Sequence, residues 1–131
     1  MRIDKPLLDA LCEEASRSPR LRMNRDMRNS EHDTSQRMLN ALDPGTELPV
    51  HRHKRTSETC IVILGAAEEI FYDDGGNITE RVFMSPGSDC IGVQIEAGRW
   101  HRLISHRKGT VIFETKDGPY EPTGPEDILE V

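Results

Sequence analysis

Between residues 36 and 116 the chain is cut at short, even intervals by residues that break regular structure. These are Asp43-Pro44-Gly45, Gly65, Asp73-Asp74-Gly75-Gly76-Asn77, Pro86-Gly87 and Gly98. Glycine supplies positive φ, proline presets φ, and Asp and Asn bond their own backbone, so each group turns the chain rather than extending it. Only short elements fit between such turns. The intervening segments, 36–42, 47–53, 58–64, 68–72, 78–83, 90–95, 100–105 and 110–115, are rich in apolar and β-branched residues. Short strands recurring every 8–12 residues or so, with a hairpin loop at 73–77, predict an all-β sandwich or barrel.

The first third of the chain follows another rule. Leu7, Leu8, Leu11, Cys12 and Ala15 make one stripe of a helix over 4–16, with Asp4 as cap and Pro6 in the first turn. Pro19 ends it, because the residue before proline avoids helical geometry. Five arginines follow (Arg17, Arg20, Arg22, Arg25 and Arg28) against one acid, Asp26. They form a solvated face or pair with the chain's own acidic surplus, or else one or two of them, lying over the barrel mouth, clamp an anionic ligand. Beyond Asp117 the density of Pro and Gly predicts an irregular surface tail pinned by Tyr120 and Ile128. At 131 residues this is one domain: an N-terminal helix and arginine segment (1–35), a β-barrel (36–116) and a tail (117–131).

Charge narrows the partners. Seventeen Lys and Arg against 23 Asp and Glu give a net charge of −6, which repels nucleic acid and anionic membranes. No apolar run is long enough to span a bilayer, and the charged N-terminus lacks an apolar leader, so a cytoplasmic location is expected. Cys12, Cys60 and Cys90 are scattered, with no CxxC, and read as small buried hydrophobes.

The chemistry concentrates in 45–65. Alternate residues of a strand share a face, so His51 and His53 can enter a barrel together while Arg52 points away. Glu58 opens the next strand after a short turn, and His101 follows the Gly98 turn. Three imidazoles and a carboxylate suit Fe, Mn, Ni, Co, Zn or Cu better than Ca or Mg. Four protein ligands on a six-coordinate ion leave positions open for substrate.

The spacing Gly45-x5-His51-x-His53-x4-Glu58-x6-Gly65, with Gly98-x-x-His101, resembles the two signature motifs of the cupins. Cys90, Glu96 and Ser105 stand where the second motif usually has Gly, Pro and Asn, so the turn holding the fourth ligand is altered. The segments 18–24 and 36–42, His-Arg-His at 51–53, Trp100-His101 and Gly118-Pro119-Tyr120 further resemble the small WbuC-type cupin metalloproteins. That resemblance implies a double-stranded β-helix (jelly roll) holding one divalent metal on His51, His53, Glu58 and His101, and a link to polysaccharide (O-antigen) biosynthesis.

Arg22, Asn24, Arg37, Tyr72 and Gln94 are the expected substrate-binding residues, with Gln36 a further polar candidate. Apolar residues on both faces of 58–64 call for a cover, either the helix or a second subunit in a homodimer. Three functions remain open for a small-molecule ligand. They are a metal-dependent isomerase or epimerase of a small anionic or sugar-derived metabolite, an Fe(II) dioxygenase, and a non-catalytic binding protein.

Overall fold

The computed structural model describes residues 1–131. Helix α1 (Lys5–Arg17) begins where the Asp4 carboxylate accepts the Leu7 N–H at 3.1 Å and ends at Ser18, extended ahead of Pro19. Ten strands follow: β1 (Arg22–Asp26), β2 (Ser35–Leu42), β3 (Val50–His51), β4 (Glu58–Leu64), β5 (Ala67–Tyr72), β6 (Ile78–Met84), β7 (Gly92–Ile95), β8 (Trp100–Ser105), β9 (Thr110–Asp117) and β10 (Ile128–Leu129). They form two five-stranded sheets, β1-β2-β9-β4-β7 and β10-β3-β8-β5-β6, in which every pairing is antiparallel. The expected all-β jelly roll with one short helix is the fold observed.

The core lies between the sheets. Leu42, Cys60, Val62, Ala67, Met84, Leu103 and Ile112 pack there, from alternate positions of six strands. Outside the first sheet, Leu8, Leu11 and Ala15 of α1 bury Leu39, Ala41 and Val111. The helix therefore covers β1, β2 and β9, and leaves Ile61 on β4 36% exposed. The second sheet carries its own outer cluster of Val50, Ile70, Tyr72 and Trp100.

Three expectations need correcting. The arginine segment is no lid over the barrel, since Arg22–Asp26 is an edge strand paired with β2. Arg22 bonds the Glu47 carbonyl and Arg28 pairs with Asp26 at 2.8 Å. The strand predicted over 47–53 shrinks to Val50–His51, because Pro49 has no N–H to give a ladder. The tail is partly regular. A 3-10 turn at Pro125–Asp127 leads into β10, which adds to β3 beside His51.

Candidate metal centre

Register places the site. Across the first sheet, Gln36 is opposite Lys116, Lys116 opposite Glu58, and Glu58 opposite Ile95. Across the second, His51 is opposite His101 and His101 opposite Phe71. Cross-strand partners share a face, so these two rows form one layer at the barrel's open end. His53 enters this layer just beyond β3. The turn carrying it is held by the Gly98 N–H, which donates to the His53 carbonyl at 2.7 Å.

The three imidazoles each offer a ligand atom within 4.8 Å of the others. Two rings are fixed from behind. His51 Nδ1 lies 3.1 Å from the Pro49 carbonyl and His101 Nδ1 lies 2.8 Å from the Arg99 carbonyl. A carbonyl only accepts, so each Nδ1 carries the proton and each Nε2 presents its lone pair to the barrel interior. Glu58 Oε2 sits 3.4 Å from both His53 Nε2 and His101 Nε2. That separation is contact without a good hydrogen bond. Accordingly His53 Nε2, His101 Nε2 and Glu58 Oε2 are buried with no hydrogen-bond partner.

Such atoms cost roughly 1–3 kcal/mol each when left unsatisfied, yet here three converge. A shared cation satisfies all of them at once, and three nitrogens with one carboxylate oxygen match a transition metal. The residues present fit the group that the sequence implies.

At His51 and Glu58 the charges of the site favour the same use. Burial, reinforced by neighbouring His101, pushes His51 down to about 4, so it is neutral and able to ligate at physiological pH. Burial alone would raise the Glu58 carboxyl, but contact with His101 and His53 outweighs it and holds the group ionised. The converse holds at His101, where burial is outweighed by Glu58 and the pKa rises.

One layer deeper, Glu114 faces Cys60 and Glu69 faces Leu103. Burial raises Glu69 to about 8 and Glu114 to about 7, in each case with Glu58 adding to the effect. The floor beneath the metal layer can thus hold protons near neutral pH, Glu69 more firmly than Glu114.

A cavity of about 330 Å³ opens from His53. Gln36, Lys54, Arg55 and Lys116 line it from the barrel side, and Tyr120 and Asp127 from the tail. Arg52 braces this wall. Its guanidinium lies 4.3 Å from the Trp100 ring centroid and 3.0 Å from Asp127.

Of the polar residues expected at the substrate pocket, Gln36 lines this cavity, and Arg22, Asn24, Arg37, Tyr72 and Gln94 do not. Arg22 and Asn24 lie on the outer edge strand, and Arg37 turns outward to the Met27 carbonyl at 3.0 Å. Tyr72 packs outside, where its hydroxyl accepts from Arg102 at 2.9 Å, and Gln94 meets Thr59 on the outer face of β4 and β7. For Arg37, Tyr72 and Gln94 the physical reason is parity, since each falls on the strand face opposite to the ligands. Arg22 and Asn24 have the ligands' parity but sit on an edge strand, separated from β4 and Glu58 by two strands. Gln36, one residue before Arg37, is the inward one. Lys116, Glu69 and Glu114 escaped notice because their charge reads as solvent-facing. Counting in twos from Glu58 through Cys60, and pairing with the last strand, would have found Glu114 and Lys116.

Residues 3–84 match the family described as "Domain of unknown function (DUF6016)". The chain belongs to the DUF6016 family. No curated protein matches this DUF6016 chain in sequence. Solved structures match its fold. A capsular polysaccharide assembling protein, CapF from Staphylococcus aureus, aligns at 21% identity and TM-score 0.67, over 82% of this chain and 30% of its own. KdgF from Halomonas sp. aligns at 15% identity and TM-score 0.61, over 79% and 85%. Oxalate oxidase in complex with the substrate analogue glycolate aligns at 16% identity and TM-score 0.62, over 82% and 55%. This DUF6016 chain therefore spans about a third of the CapF chain, and the likeness is one of fold: the cupin jelly roll. No helix is long and apolar enough to cross a membrane.

Proposed function

We propose that this protein is a metal-binding cupin, with one divalent transition-metal ion on His51, His53, Glu58 and His101, acting on a small anionic or sugar-derived metabolite. The observation that carries the reading is the convergence of buried, unpartnered His53 Nε2, His101 Nε2 and Glu58 Oε2 on one point. When bound, the ion supplies Lewis acidity toward a carbonyl or vicinal hydroxyls of the ligand. The chain's own residues do the rest. The Pro49 and Arg99 carbonyls orient two imidazoles, and Glu58 brings negative charge into a buried site. The Glu69 and Glu114 carboxyls below can hold a proton at neutral pH.

The reaction class that fits such a site without further parts is isomerisation or epimerisation. A role in polysaccharide (O-antigen) biosynthesis, in line with the WbuC-type motifs, is supported by the fold shared with CapF, whose description is capsular polysaccharide assembling. Dioxygenase chemistry with iron is the second reading, supported by the fold shared with oxalate oxidase. We further propose a cytoplasmic homodimer, with the second subunit over the outer face of β4 near Ile61.

Protein purified without an affinity tag, then analysed for bound metal and by native mass spectrometry for a co-purified ligand, tests the reading. A transition metal with a small anionic or sugar-derived ligand supports it; a metal-free protein sinks it. Oxygen uptake by the iron-loaded protein with that ligand would decide for the second reading.

A further inference from the structure

Lys116 is the one cation in the metal layer, and its charge favours the ionised forms of Glu58 and Glu114 without a hydrogen bond to either. Its side chain is 14% exposed, makes no hydrogen bond, and reaches only Glu114, at 3.8 Å. A half-buried ammonium gives up part of its hydration and ordinarily makes this good through short contacts. The other basic groups lining the cavity are occupied. Lys54 pairs with Asp127 at 3.6 Å and Arg55 with Glu121 at 3.5 Å, both from the tail that forms the opposite wall. Gln36 stands beside Lys116 in the sheet, 6% exposed. Its Nε2 donates to the Gly118 carbonyl at 3.1 Å, which fixes the amide and leaves Oε1 facing the same space.

We infer that Lys116 is a specificity-determining residue: it receives a second anionic group of a ligand whose first group sits on the metal. This rests on the metal centre proposed above and adds the shape of the substrate to it. Glu58 and Lys116 are cross-strand partners, and His53 and Lys116 both line the cavity, so the proposed ligand set and the ammonium meet at one space. A ligand served by both carries a chelating head and, a few bonds away, a carboxylate or phosphate. The cavity of about 330 Å³ lies at the small end of ligand sites, which admits a compact metabolite and not a polymer. Only one of its 14 lining residues is hydrophobic, so the middle of the ligand is hydroxylated rather than greasy. The Lys54 and Arg55 pairs with the tail are exposed and loose, and can exchange partners as a ligand enters.

The test uses three 2-hydroxycarboxylates that share one chelating head: lactate, malate and 3-phosphoglycerate, which differ in a distal methyl, carboxylate or phosphate. Each is titrated into Co(II)-loaded protein, and the visible bands of the cobalt report binding. Malate or 3-phosphoglycerate is expected to bind about tenfold tighter than lactate, a typical worth for one charge-assisted contact. Whichever of the two gains more names the distal group. Lys116→Met is expected to abolish the preference while leaving the cobalt spectrum and lactate affinity unchanged. Equal affinities of the three for wild-type protein overturn the inference, as does a preference that survives in Lys116→Met. Failure of wild-type protein to take up cobalt would instead overturn the metal centre, so the two failures are distinguishable.

Discussion

Glu69 offers a sharp test of how the barrel interior is built. Its side chain is 2% exposed, accepts no hydrogen bond, and is raised from 4.5 to about 8 by burial. An unfolded chain releases this proton near pH 4.5, whereas the folded one retains it to about pH 8. The folded state therefore binds the extra proton throughout that interval, and stability falls as pH rises through it. At 1.36 kcal/mol per pH unit, the span from 4.5 to about 8 amounts to at most about 5 kcal/mol. Glu69→Gln keeps the shape and removes the titration. In urea denaturation of the chelator-treated protein, the variant and wild type should differ little at pH 4.5. The variant should gain steadily to pH 8, by several kcal/mol, and hold a constant lead above it. Parallel pH profiles of the two proteins would refute the claim that Glu69 is buried as an acid.

His51 should show the opposite slope. With its pKa depressed to about 4 against an ordinary 6.5, the metal-free protein loses up to about 3 kcal/mol as pH falls through that window. His51→Gln should not lose it; equal acid sensitivity in chemical denaturation would contradict the assignment. Gly65 has φ +81, and a Cβ there would stand 2.7 Å from Thr110 Cα, so Gly65→Ala should cost about 2 kcal/mol or more in the same assay. An unchanged midpoint would show that the turn relaxes freely. Asp4→Ala removes the cap of α1 and should cost about 1 kcal/mol, with the loss read by thermal melting; no change in Tm would mean that Leu8, Leu11 and Ala15 alone hold the helix.

Much of this architecture is legible in the residues. Glu58–Leu64 and Trp100–Ser105 have the boundaries expected of them, because a turn glycine or a polar breaker bounds strands rich in β-branched residues. The helix is legible because its stripe, cap and stop agree. What escapes has a common physical cause. Strand β1, Arg-Met-Asn-Arg-Asp, lies on a sheet edge with little side-chain burial, so no alternation marks it. Strand β10 is two residues long and exists only because β3 offers it a partner. The histidines announce themselves by spacing, whereas Lys116 and Glu69 look like surface residues until strand pairing turns them inward. Arg37, Tyr72 and Gln94 show the reverse error, since polar character alone does not tell which face of a strand a side chain takes. Arg22 and Asn24 miss the site because their strand lies at the edge of the sheet.

The central claim is one metal ion held by three imidazoles and Glu58. Elemental analysis of untagged wild-type protein beside His101→Ala and Glu58→Gln, all purified identically, tests it most directly. About one equivalent of a transition metal per chain in the wild type, sharply reduced in both variants, is the predicted result. A wild type without metal, or variants that retain it in full, would contradict the site.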